Sequence, residues 1–201
     1  MKLLTILALL VVSISCNAQT IKEIFQALPD TILPSLSKND RLDLIDLIEN
    51  KMENEVTNQL RGRSRMTLLT ANLTKVQLSE LAEVQMCRLS TPNSYLICLI
   101  HSVKTEAWDS NIRFYNPDWT LNSTVTSIHS TLLSHTSNFS FVHLNFINET
   151  TLQLNTETPS LTTLPIEASA LKEGREDKHG QGGAVTFRWD TNQARFLPSI
   201  P

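Results

Sequence analysis

The 201-residue sequence predicts an α+β protein, with N-terminal helices packed on a largely antiparallel β-meander. Three observations carry that prediction. Apolar residues recur at helical spacing between Thr20 and Met52. From Met66 onward the period becomes two, in short segments bounded by turn residues. The connections between those segments are too short for parallel crossovers, so neighbours in sequence are expected to pair antiparallel.

Each element has its own signal. Ile21, Ile24, Phe25 and Leu28 share one helix face, and the helix must stop before Pro29, which lacks the N–H to continue it. Pro29 to Leu36 is a turn-rich link. A second helix runs from Ser37 to Met52, capped by Ser37 or Asn39, with Asp40 and Asp43 at the positive end of its dipole. Leu42, Ile45, Ile48 and Met52 form its apolar stripe, widened by Leu44, and Asp40, Asp43, Asp46 and Glu49 form a solvated face with Arg41 nearby. Glu53 to Leu60 either extends this helix or turns, ending near Gly62.

The strands follow at Leu68-Leu69, Leu73 to Leu78, Val84 to Leu89, Tyr95 to Val103 and Ile112 to Tyr115. The helices are expected to cover one face of this meander. Residues 120–140 hold eleven Ser or Thr and no Asp, Glu, Lys or Arg, with Ile128, Leu132 and Leu133 suggesting a weak helix there. Phe139 to Ile147 alternates, with Val142, Leu144 and Phe146 on its more apolar face, and pairs with Thr151 to Asn155 across Asn148-Glu149. Pro165 to Lys172 reads as a helix with Pro in its first turn. Glu173 to Gly183 is a charged loop, and Ala184 to Asp190 with Ala194 to Leu197 makes a last hairpin around Thr191-Asn192. The segments Ile112 to Trp119 and Val185 to Asp190 share an aliphatic–polar–Phe–aromatic order ending in Asp at a turn. That likeness hints at two related α/β halves, residues 19–122 and 123–201.

Composition limits function. Lys plus Arg number 17 against 20 Asp plus Glu, a net charge of −3, so no surplus of cation serves a nucleic-acid binder. Hydrophobic residues make up 41% of the chain, enough to exclude wholesale disorder. At the N-terminus Lys2 precedes the short apolar stretch Leu3 to Val12 and then small residues, the pattern of a secretory signal peptide. That stretch is shorter than the roughly 20 apolar residues a membrane-spanning helix takes, and no other segment qualifies. Two processing readings stand: cleavage after Ala18, which leaves residues 19–201 as a single domain beginning at Gln19, or lipidation of Cys16 as an anchor. Ser13 stands where a lipobox has an aliphatic residue, which favours cleavage. Removing residues 1–18 takes away one Lys and no acid, which moves the net charge from −3 to −4. The expected address is exported: periplasmic, outer-membrane-associated or extracellular.

Export would place Cys87 and Cys98 where a disulfide can persist. A hairpin centred between Pro92 and Asn93 sets these two cysteines opposite each other. Cross-strand Cβ atoms sit roughly 4.5–5.5 Å apart, and a bridge wants about 3.5–4.5 Å, so a disulfide and two buried thiols are both open.

No metal or nucleophile motif stands out. His129, His135, His143, His101 and His179 show no HExxH spacing, and Cys87 and Cys98 sit mid-strand rather than at a helix N-terminus. Gly180-Gln181-Gly182-Gly183 lacks the Lys-Ser/Thr of a phosphate loop. No cofactor or metal is expected. The remaining candidates are Tyr115, Trp119 and Trp189, aromatics at strand ends that either form a binding surface for a protein or glycan or plug the ends of the core.

The run Asn39-Asp40-Arg41-Leu42-Asp43-Leu44-Ile45-Asp46, then Glu55-Val56-Thr57-Asn58, then Ile112-Arg113-Phe114-Tyr115 with Asp118-Trp119, resembles an uncharacterised family of exported Bacteroidales proteins of about 200 residues, a domain of unknown function. The resemblance implies a Gram-negative envelope location and supplies no substrate or catalytic residue. The leading expectation is a non-catalytic envelope binding module. A hydrolase whose residues converge only in the fold, or a structural subunit of an envelope complex with an exposed apolar face, are the alternatives.

Overall fold

The computed structural model describes residues 19–126, 141–157 and 184–199. Two helices, α1 (Ile21–Ala27) and α2 (Lys38–Glu49), precede β1 (Val56–Thr57), β2 (Arg63–Leu69), β3 (Leu73–Ser79), β4 (Ala82–Ser90), β5 (Tyr95–Lys104) and β6 (Trp108–Tyr115). These six strands form one antiparallel meander in sequence order. The later strands β7 (Phe141–Asn148), β8 (Thr151–Glu157), β9 (Ala184–Asp190) and β10 (Arg195–Pro198) form a second antiparallel sheet, also in sequence order. The expected α+β class with an antiparallel meander is what the chain adopts. The two segments that read alike fall on β6 and β9, one strand in each sheet. Residues 165–172, read as a helix, and the Ser/Thr-rich stretch beyond residue 126 lie outside the described residues.

Both helices open on capping boxes. Thr20 Oγ1 accepts from the Glu23 N–H (3.3 Å) while Glu23 Oε2 accepts from the Thr20 N–H (2.8 Å). Ser37 and Asp40 repeat the exchange at 3.2 and 2.8 Å, satisfying donors that a helix start leaves orphaned. Pro29 ends α1 as expected. The second helix stops at Asn50, earlier than the apolar pattern suggested, and Lys51 takes a left-handed φ of 54°.

Its buried face also differs from the predicted stripe. Arg41, Leu44 and Ile45 face inward, while Leu42 is 38% and Met52 60% exposed. Arg41 turns the helix by making an inward anchor. Its Nη1 donates to the Leu36 carbonyl (2.5 Å) and Asp30 Oδ1 (2.9 Å), and its Nη2 to the Leu28 carbonyl (2.5 Å). One guanidinium therefore closes the Pro29-to-Leu36 link against both helices. The acidic face stays solvated, with Glu49 paired to Lys22 at 2.6 Å.

Both faces of the six-stranded sheet carry a packed layer, where coverage of one was expected, although the helical layer covers only part of its face. Ile21, Ile24, Phe25, Leu44 and Ile45 pack on Met66, Val76, Val84, Met86, Ile97 and Leu99 on one side. On the other, Cys87, Leu89, Cys98, Ile100 and Phe114 meet Leu144, Phe146, Leu154, Trp189 and Phe196 of the second sheet. Burial on both faces explains why β5 reads as an unbroken apolar run rather than an alternation. A bulge between Met66 and Leu68 turns Leu69 back to the helix side while Leu68 joins the inter-sheet core.

The two sheets are joined by hydrogen bonds as well as by apolar contact. Strand β7 is an edge of the second sheet, and its outward backbone groups would be orphaned there. Side chains of the first sheet take them up. Gln85 Nε2 donates to the Leu144 carbonyl (3.2 Å) and Gln85 Oε1 accepts from the Phe146 N–H (2.9 Å). Ser110 Oγ accepts from the Leu144 N–H (3.0 Å), and Lys75 Nζ donates to the Phe146 carbonyl (2.6 Å). His143 stands beside this seam, its Nε2 3.2 Å from Glu83 Oε1 and its ring stacked on Trp108 at 5.2 Å.

Candidate functional site

The helices cover only part of the meander's outer face. In the β5–β6 register Ile97 faces Tyr115, Leu99 faces Arg113 and His101 faces Asn111, and Val84 lies opposite His101 on β4. Alternation places all of these on the helix side of the sheet. Ile97 lies beneath the helices; from Leu99 and Tyr115 outward the face opens into a cleft of about 550 Å³. Leu78, Val84 and Leu99 give it an apolar floor, Ile32 and Leu33 of the interhelical link form one wall, and residues 58–62 form the other.

That second wall is built by one side chain. Asn58 is buried; its Nδ2 donates to Ser64 Oγ and the Leu78 carbonyl (2.9 Å each), and its Oδ1 accepts from the Leu60 and Gly62 N–H groups (3.0 Å each). The backbone doubles back through Arg61 at φ 62°, closed by an Asn58 N–H bond to the Gly62 carbonyl (2.8 Å). A Cβ on Gly62 would come within 3.2 Å of Asn58 Nδ2, so a larger residue there would have to push the bonded Asn58 amide by a few tenths of an ångström. Gln59 ties the loop to the helical layer through its N–H to the Ser35 carbonyl (3.0 Å) and its Nε2 to Asp40 Oδ2 (3.0 Å). Leu60 stands at the lip, 77% exposed.

The cleft's electrostatics are one-sided. Arg113 is the one charged side chain in its lining, which contains no Asp or Glu. Its guanidinium makes no hydrogen bond or ion pair among the described residues. Partial desolvation, and then the nearby Arg113 charge, hold the His101 imidazole below its usual range and so neutral near pH 7. Ser35, 8% exposed, lines the wall with a hydroxyl that has no partner among the described residues.

The three aromatics singled out from sequence do not converge. Tyr115, 5% exposed, lines the cleft and packs in the helix-side core, with the half-buried Trp119 ring 5.8 Å away. Trp189 lies in the inter-sheet core, its Nε1 donating to the Ser90 carbonyl (2.7 Å), because its strand belongs to the second sheet. Cys87 and Cys98 are register partners, as the turn-centred hairpin requires. Both are free and buried, which pushes both thiols upward, and Cys87 donates to the Glu149 carbonyl at 3.2 Å. Cys16 lies outside the described residues. No group of three His, Cys, Asp or Glu among the described residues could hold a metal, and no described helix is long and apolar enough to cross a membrane.

His101, Asn111 and Arg113 were not read as a group from the sequence. A hairpin centred on Glu106 would have paired them on one face; isolated along the chain, they carry no motif.

Fold and cleft together define an α+β protein whose helices leave one end of a sheet face open. The chain belongs to the family described as "Protein of unknown function (DUF3256)", whose model matches residues 13–161. A similar solved structure is that of a domain of an uncharacterized protein from Porphyromonas gingivalis W83. It shares 19% identity at a TM-score of 0.62, over 90% of this chain and 98% of that one, a likeness of fold. No functionally curated protein matches the chain.

Proposed function

We propose that this protein is an exported cell-envelope binding module and that the cleft beside β5 and β6 is where its ligand sits. One observation carries the reading: a cleft of about 550 Å³, within the range of small-molecule sites, with an apolar floor and a single unpaired cation. Binding suits this lining better than acid–base catalysis, because no carboxylate in the lining orients or assists His101. Export is supported by the leader-like N-terminus, which ends just before the capping box of Thr20 and Glu23 on which the described fold begins.

Two measurements test this. N-terminal sequencing of protein made with its own leader in a Gram-negative host is expected to read from Gln19; a retained Met1 overturns export. Amide-shift mapping of residues 19–201 with pooled small amphipathic compounds should move Leu99 to Tyr115 and residues 58–62. Shifts confined to other surfaces, or none at all, overturn the cleft as the site.

A further inference from the structure

Resting on the reading of the cleft as a binding site, we propose that its ligand is a small amphipathic carboxylate. The carboxylate sits on Arg113 and Asn111, and an apolar body lies along Leu78, Val84 and Leu99. The chain carries a net charge of −3, yet the lining has one positive side chain and no negative one. Arg63 and Arg65 pair with Glu55, whereas Arg113, like Arg61, Arg188 and Arg195, has no ion pair among the described residues; of these unpaired arginines it is Arg113 that lines the cleft. Its strand partner Leu99 is buried, and the face beside it is apolar. The guanidinium presents a planar fork that matches a carboxylate with two parallel bonds.

Asn111 lies two residues along the same face, exposed at the rim, its side-chain amide without a hydrogen-bond partner among the described residues. It offers a further N–H donor to the same group. His101, neutral, adds no competing charge and can donate or accept at the edge. The apolar floor excludes a purely polar anion, which would gain nothing from Leu78, Val84 and Leu99. The single cation disfavours a ligand with several negative charges, which would leave all but one unpaired. A cationic amphiphile meets Arg113 as a like charge.

The test uses residues 19–201 and three probes of equal chain length, titrated by calorimetry: dodecanoate, dodecanol and dodecyltrimethylammonium. Dodecanoate is expected to bind about tenfold more tightly than dodecanol, the scale of a hydrogen-bonded charge at a part-solvated site. The ammonium probe should bind weakest. Arg113→Gln, at an exposed position, should remove the preference for dodecanoate while leaving dodecanol unchanged. Ala82→Phe, which fills the cleft from its half-buried edge, should weaken dodecanoate and dodecanol together. Added salt should narrow the gap between these two probes.

Equal binding of dodecanoate and dodecanol, both lost in Ala82→Phe, overturns the carboxylate and keeps the cleft. Binding that ignores Ala82→Phe, or no binding by any probe, overturns the cleft reading itself. If Ala82→Phe fails to fold, amide-shift mapping of dodecanoate on the unaltered protein replaces it: shifts away from Arg113 and Leu99 have the same meaning.

Discussion

Arg41 shows how one side chain can fix the relation of two helices. It is 1% exposed, yet its ion-pair partner Asp30 lies largely in solvent. The guanidinium thus serves mainly as a donor to the carbonyls of Leu28 and Leu36, groups at the helix end and in the link that no other donor among the described residues reaches. Removing it leaves two buried acceptors unmet and a side-chain-sized void. Arg41→Ala is expected to cost about 3 kcal/mol in urea unfolding. A lysine offers one point charge in place of a fork and reaches one carbonyl at a time. Arg41→Lys should therefore stay about 1–2 kcal/mol less stable than the parent. A loss of only a few tenths in Arg41→Ala would mean that water satisfies both carbonyls.

At the scale of elements, the seam between the sheets depends on Gln85. Its side-chain amide does for β7 what a neighbouring strand's peptide group would do, accepting from the Phe146 N–H and donating to the Leu144 carbonyl. Gln85→Leu keeps the volume and strands both backbone groups in the core. The expected cost is about 2 kcal/mol, with faster hydrogen exchange at the Phe146 amide as its local signature. Unchanged exchange there would show that β7 is held by its apolar face alone. Elements like β4 and β5 were legible because their information is local: the Thr91-to-Ser94 turn sets the register that pairs Cys87 with Cys98. The capping residues Thr20 and Ser37 act within four residues of themselves and were equally open to reading. The seam was not, because Gln85 and its partners on β7 lie about sixty residues apart, and nothing near Gln85 in the chain marks it as other than one more strand residue. The cleft was half legible for the same reason. Tyr115 announced itself as an aromatic at a strand end. His101, Asn111 and Arg113 became a rim only because the helical layer stops short of them.

Across the whole molecule, acid should loosen the fold through carboxylates held as acceptors in three different places. The hydrogen bond with His143, and a second from Gln85, hold Glu83 below its ordinary value of 4.5, against the opposing effect of burial. Bonds from Asn72 and Thr70 lower Glu149 where the loop between β7 and β8 meets the loop between β2 and β3. At the start of α2, partial burial works to raise Asp40, and the bonds from Gln59 and Ser37 outweigh it. A carboxylate whose folded value is depressed contributes stability that is fully present above its unfolded value, and that contribution is lost as pH falls through the folded one. The urea midpoint is therefore expected to fall gently from about pH 7 to pH 5, where His101 gains its proton more readily in the unfolded chain, and to fall more steeply below about pH 4.5 as these carboxylates are protonated. Glu83→Gln removes the group at the seam between the sheets, so its midpoint should start lower at neutral pH and fall less steeply in acid. Loss of Trp108 fluorescence character tracking the same acid limb would tie that change to the His143 stack. An acid limb equally steep in Glu83→Gln would instead assign the pH dependence to Glu149 and Asp40, at the two ends of the helical layer and the loops, and leave the seam insensitive to protons.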